Sequence, residues 1–273
     1  MPSVTLIVAA HKAYRMPDDP MYLPVHVGAE GKTDKNGKPL NLEYQKDNVG
    51  DNISARNNQF CELTGLYWAW KNLDSDYLGL VHYRRYFTGK NRGKDPFDRI
   101  LTTEEMQKYL SAGYTVFVPQ KRHYYIETLY SHYIHTHYQE ELDAAREIVL
   151  RQHPEYLEVY DRVMKRTWGY MFNMMILPRN LLDEYCNWLF GILYELSDKL
   201  IRPDLSDFDN RYVGRVSELL FNIWLEYKLR NGSIKKNEIK ELPYMYMEKV
   251  NSLEKLASFL KAKFFHKKQS RSF

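Results

Sequence analysis

The sequence predicts an α/β protein with a mixed, mostly parallel central sheet flanked by helices and a helical C-terminal part. Three observations lead there. Short β-branched apolar runs alternate with helix-period segments over residues 1 to about 120. Those runs are apolar throughout rather than at every second residue, the pattern of strands buried on both faces. Beyond about residue 125 the 3.6-residue period dominates.

The first run, Val4 to Ala10, reads as a buried parallel strand. It ends at His11-Lys12, so two polar residues leave the sheet at a strand's carboxyl end, where open α/β sheets bind ligands. Residues 28–50 are rich in Gly, Asn, Asp and Lys and are expected to form an irregular loop. A helix is expected from about Gln59 to Asn72, with Asn57 and Asn58 as N-cap candidates and an apolar stripe of Leu63, Leu66, Tyr67 and Trp70. Tyr77 to Val81 forms the second strand and delivers His82-Tyr83-Arg84-Arg85. Thr102 and Glu105 make a capping box for a short helix to about Ala112. Tyr114 to Val118 is a third strand, stopped by Pro119. Further helices are expected over Glu140–Gln152, over Asn180–Ser197 and from Tyr212 through Tyr227. An apolar run from Tyr170 to Leu177, closed by Pro178, interrupts them. Residues 229–273 are polar, then basic, and no internal repeat is present.

With 44% hydrophobic and 27% charged residues, the 273-residue chain can bury a sizeable core, which excludes wholesale disorder. Its apolar runs are far shorter than a membrane span, and residues 1–10 lack a basic n-region and cleavage site. A cytoplasmic location is expected. Cys61 and Cys186 lie in helix-like apolar segments and are expected to be buried thiols, too few for a disulfide framework or a cysteine metal site. The net charge of +4 is too small to indicate nucleic acid, which is not expected as a partner. Positive charge concentrates at the end, in Lys255, Lys261, Lys263, Lys267, Lys268 and Arg271, interleaved with Leu256, Phe259, Leu260, Phe264 and Phe265. Such a segment can lie on an anionic membrane surface; a solvated tail is the plain alternative. The 23 tyrosines suit carbohydrate surfaces and ordinary cores alike.

Two adjacent arginines at a strand's carboxyl end, Arg84 and Arg85, are costly to place unless they meet anions, and Arg grips a diphosphate bidentately. The alternative is a surface pair bonded to Asp74 and Asp76. Gly50-Asp51-Asn52-Ile53-Ser54 leads toward a helix N-terminus, whose free N–H groups suit phosphate or ribose; an Asx-turn explains it equally well. After Asp209-Asn210, a helix carries Arg211, Arg215, Glu218 and Asn222 on one polar face. A carboxylate there can act as general base, and guanidinium groups can stabilise a departing diphosphate. An Arg215–Glu218 ion pair at i, i+3 is the bland alternative. His132, His135 and His137 have no flanking Cys and no zinc signature, so no metal is expected there. No Gly-x-Gly-x-x-Gly, P-loop or nucleophile elbow occurs. Asp74-Ser75-Asp76 has the Asp-x-Asp form but precedes its strand and reads as a loop.

Six segments in order carry a resemblance: Ala10-His11-Lys12, Tyr22 to Ala29, Gly50 to Ser54, Cys61 to Asn72, Gly79 to Phe87 and Gly214 to Leu225. Together they are similar to the domain-of-unknown-function 4422 family of bacterial capsule and exopolysaccharide glycosyltransferases, over roughly residues 4–228. The resemblance implies a GT-A-like fold, a UDP-sugar donor and a lipid-linked glycan acceptor. Some members are galactofuranosyltransferases using UDP-galactofuranose with inversion, which makes that donor the expected one. Arginines stand where metal-dependent relatives have an Asp-x-Asp after the strand, so metal-independent catalysis without a cofactor is expected. On this footing residues 1–230 form one catalytic domain, 1–120 holding the nucleotide-sugar and 121–230 the acceptor side, with 231–273 as a basic, aromatic extension. The expected donor residues are His11, Lys12, Asp51, Asn52, Ser54, His82, Tyr83, Arg84, Arg85, Arg211 and Arg215. The expected acceptor contacts are His137, Trp168, Tyr170 and Asn173. Glu218 is the expected general base, with Asp209 in reserve. The tail would hold the enzyme peripherally on the inner face of the plasma membrane.

Overall fold

The structure, a computed structural model, describes residues 1–201 and 206–248. The basic end from Lys255 lies outside the described residues. The strands are β1 (Val4–Ala10), β2 (Tyr22–His26), β3 (Gln45–Lys46), β4 (Tyr77–His82), β5 (Arg85–Phe87), β6 (Val116–Pro119), β7 (Arg122–His123), β8 (Trp168–Gly169), β9 (Met175–Pro178), β10 (Ile239–Leu242) and β11 (Tyr244–Tyr246). The α-helices are α1 (Asn57–Phe60), α2 (Leu63–Asn72), α3 (Thr103–Ser111), α4 (Leu129–Thr136), α5 (Gln139–Gln152), α6 (Leu157–Met164), α7 (Arg179–Lys199) and α8 (Tyr212–Arg230). They fall into two units. The first takes Met1–Gln120, Phe172–Asn187 and Ile234–Met247, and the second takes Lys121–Met171 and Trp188–Ser233.

The first unit holds a nine-stranded sheet of order β10-β6-β9-β4-β1-β2-β3, with β5 and β11 joined on beside β4. β1, β2, β3 and β4 run parallel, as do β6 and β10, while β9 runs against both β4 and β6. Leu6, Ile7, Val8 and Ala10 have no exposed surface, as their central position demands. Each large aliphatic side chain removed from water contributes about 1.5–3 kcal/mol. Gly79 lets β9 approach: a Cβ there would lie 2.7 Å from the Met175 carbonyl oxygen and 2.9 Å from Ile176 Cγ1. The start of α7 caps the end of α2. Arg179 donates to the Leu73 and Trp70 carbonyls, and Trp70 Nε1 donates to Asp183, so groups orphaned at a helix end find partners.

The second unit is mainly helical. α5 and α6 pack on α8, burying Ala145, Ile148, Val149, Tyr160 and Val163 with Val216, Leu220, Ile223 and Trp224. β7 and β8 form a small antiparallel pair of their own.

Several elements differ from the sequence expectation. The helix expected from Gln59 to Asn72 is two helices, because Cys61 takes φ 53° and ends α1. Asn57 is no N-cap; its amide donates instead to the Cys61 carbonyl and Thr64 Oγ1. The third strand starts at Val116 rather than Tyr114. The segment set apart as 231–273 contributes β10 and β11 to the sheet, since their short lengths and half-buried residues leave no long apolar run to read. The capping box at Thr102 and Glu105 forms as expected, and both cysteines are buried thiols.

Substituting Gly79 with valine forces β9 away from β4. The expected loss is about 1–3 kcal/mol, read as a fall in melting temperature; an unchanged melting temperature would show that β9 has slack there.

Candidate functional site

In the first unit, the parallel strands place the residues after β1, β2 and β4 along one edge. Pairing of His82 with Arg85 leaves Tyr83-Arg84 as a two-residue turn between β4 and β5. Sequence neighbours therefore part company here. Arg84 lies over Tyr83, whose buried ring meets His11 at 5.3 Å and Tyr14 at 4.1 Å, while Lys12 lies over Tyr14. Arg85 sits between two rings, 3.8 Å from Phe172 and 4.6 Å from Tyr246. Cation–π contacts hold a guanidinium in place without neutralising it. His11, Lys12, Tyr83 and Arg84 thus form one cluster, and His82, Arg85 and Asn173 belong to a second.

The second cluster follows from register. β4 and β9 pair Tyr77 with Pro178 through Leu80 with Met175, and beyond the last pair the end of β4 meets the segment leading into β9, where His82 bonds Phe172. His82 Nε2 lies 2.6 Å from the Phe172 carbonyl oxygen. A carbonyl only accepts, so this nitrogen carries the proton. Burial pushes the His82 pKa below its ordinary value; Arg85 and Arg84 add to that, while the Glu62 charge opposes it. Asn173 is buried and donates to Glu62 Oε1 at 2.8 Å. Both Phe172 (φ 76°) and Asn173 (φ 52°) adopt left-handed backbone, as does Cys61 before Glu62. Such conformations cost about 1–3 kcal/mol each and persist only where surrounding structure enforces them.

The loop residues separate. Asp51 accepts from Tyr67 Oη and exchanges hydrogen bonds with Asn72, at the far end of α2 from Glu62, about 15 Å along the helix. Asn52 makes the Asx-type contacts, donating to the Gly50 carbonyl and accepting from Ser54 N. Ser54 is buried and donates to Asp47, whose carboxylate also accepts from Gly28 N and Ala29 N. The hydroxyl and carboxylate pin the turn after β2. Asp76 is engaged by Ser3 rather than by an arginine.

In the second unit the expected polar face of α8 is largely a set of internal struts. Arg215 donates to the Phe208 and Asp209 carbonyls, and Asn222 grips both the N–H and the carbonyl of Tyr170. Asp209 accepts from Ser206 and Arg211 is exposed. Glu218 is half-buried on α8. His137 packs beside Tyr133 and Phe208. Trp168 carries Lys121 and Arg166 on its ring. His132 and His135 both bond the buried Glu127 through Nδ1, at 2.8 and 2.7 Å. Among the described residues, no group of three or more His, Cys, Asp or Glu side chains could hold a metal ion, and no helix is long and apolar enough to cross a membrane.

A mostly parallel sheet flanked by helices, with its hairpin of basic residues after a central strand, is a GT-A-like architecture. The chain belongs to the family described as domain of unknown function 4422, whose model matches residues 5–229. Among solved structures it is similar to the apo form of the WbbM bifunctional glycosyltransferase, with 28% identity and a TM-score of 0.78, over 90% of this chain and 46% of that one. This chain therefore spans about half of that protein. No curated protein matches it significantly.

The sequence expectations missed Glu62, Tyr14, Phe172 and Tyr246. Glu62 lay inside an unbroken helical pattern, and only the turn at Cys61 sets it apart.

The lowered His82 pKa sets a pH dependence. The unfolded imidazole binds protons more readily than the folded one, so this stability is present above the ordinary value of 6.5 and is lost as pH falls through the lower folded pKa. His26 and His132 are also held low by burial. Melting temperature should fall on acidification below pH 6.5, and less steeply in His82→Gln, which keeps a donor for Phe172. Parallel profiles would show that His82 does not contribute.

Proposed function

We propose that the protein is a glycosyltransferase of bacterial surface-polysaccharide assembly, moving a sugar from a nucleotide-sugar donor to a glycan acceptor. The observation that carries this is the basic, aromatic lining at the carboxyl ends of β1 and β4, in a chain similar to a bifunctional glycosyltransferase. Cations at strand ends can stabilise an anion, and a departing diphosphate is the anion such a reaction releases. Arg84 at the hairpin turn and Arg85 beside it are the residues assigned to that charge, with His11, Lys12 and Tyr83 completing the donor side. The resemblance supports UDP-galactofuranose as donor, inversion at the anomeric carbon, a lipid-linked acceptor and no requirement for a metal. Trp168, Tyr170 and His137 are assigned to the acceptor, and Arg211 to the leaving group. The enzyme is placed in the cytoplasm, peripherally on the inner face of the plasma membrane through its basic tail.

A glycan-binding module without turnover is the second reading, favoured by the same rings. UDP release from a panel of UDP-sugars, with a lipid-linked acceptor analogue present, separates the two. The expected result is release from UDP-galactofuranose that survives EDTA and falls about 10²- to 10³-fold in Arg84→Ala. Release only with manganese would retain the transferase and remove metal independence. UDP-sugar binding without release would favour the module.

A further inference from the structure

We infer that Glu62 is the carboxylate that takes the acceptor's proton, an assignment resting on the glycosyltransferase reading above. Glu62 stands between α1 and α2, half-exposed, directly after a cysteine at φ 53°, ψ −131°, a region that residues with a Cβ avoid. The backbone turns sharply there, and the next side chain reaches the turn that precedes β9. Its partner is equally constrained: Asn173, buried, follows Phe172, and both are left-handed. Two strained turns from distant parts of the chain thus meet in one hydrogen bond, Asn173 Nδ2 to Glu62 Oε1 at 2.8 Å. Strain of this kind is retained where it positions chemistry.

The amide fixes one carboxylate oxygen and leaves Oε2 to accept. His82 Nε2 bonds the Phe172 carbonyl and Arg85 lies on the Phe172 ring, while the next residue, Asn173, holds Glu62. A carboxylate and a cation are therefore carried by two adjacent residues of one turn. Glu62 lies in the same unit as His11, Lys12, Arg84 and Arg85. Asp209 is already engaged by Ser206.

The step balances simply. The acceptor hydroxyl gives its proton to Glu62 Oε2 while its oxygen bonds to the anomeric carbon. The bond from that carbon to the phosphate oxygen breaks, and its electron pair leaves on UDP. Glu62 then returns the proton to water. Asn173 acts as a positioning residue.

The test compares wild type with Glu62→Gln, Glu62→Asp and Asn173→Ala, using UDP-galactofuranose for turnover and UDP for binding by calorimetry. Glu62→Gln should lower kcat about 10²- to 10⁴-fold, with UDP affinity unchanged within roughly threefold. Its residual activity should lose the acid limb of the pH profile, and Glu62→Asp should recover part of kcat. Asn173→Ala should lower kcat and shift that limb with KM little changed. Near-normal kcat in Glu62→Gln beside an active wild type would overturn the assignment alone. So would loss in Glu218→Gln with Glu62→Gln active. A wild type that binds UDP but turns over no donor would overturn the transferase reading, and this assignment with it.

Discussion

The antiparallel register between β4 and β9 is the constraint on which the candidate site depends. Along the path β10-β6-β9-β4-β1-β2-β3, whose other pairings are parallel, β9 begins beside the ends of β4 and β6. That reversal brings Phe172 and Asn173 to His82, where a parallel strand would have brought its own last residues. Both faces of β9 are packed, since Met175, Ile176 and Leu177 have no exposed surface. Gly79 keeps the two backbones close enough for the pairing to hold.

In both units polar groups divide between those that brace the backbone and those seated on aromatic rings. Asp47 is fully buried and is consumed by two backbone N–H groups and a serine hydroxyl. Arg179, Arg215 and Asn222 are spent on backbone groups. Lys12, Arg84 and Arg85 rest on aromatic rings, which orient a cation. The abundance of tyrosine acquires a local meaning here, since Tyr14, Tyr83 and Tyr246 supply those seats.

Much of the sheet was legible because burial on both faces writes unbroken apolar runs, as in Val4–Ala10. The edge of that sheet was legible too, since polar residues directly after such runs must emerge at strand ends. What escaped was whatever tertiary contact alone decides. β10 and β11 are short and half-buried, and their pairing partners lie more than a hundred residues away. The break at Cys61 falls inside the helix expected from Gln59 to Asn72, and the apolar stripe from Leu63 onward gives no sign of it, so Glu62 was not set apart. The polar face of α8 had the right periodicity, but nothing in periodicity distinguishes an open cleft from struts that hold a loop. The arginine pair was found as a pair, and the two-residue turn sends its members to different rings.

The pairing of β11 with β5 has a consequence for how the molecule is made. Tyr246, which closes one side of the Arg85 seat, leaves the ribosome long after Arg85 itself. A nascent chain can assemble β1, β2 and β4 early, yet this wall is supplied only once β11 has been made. Until then that edge of β5 is unpaired and open to other strands, which makes the stretch of synthesis between β5 and β11 an interval of exposure to misassociation.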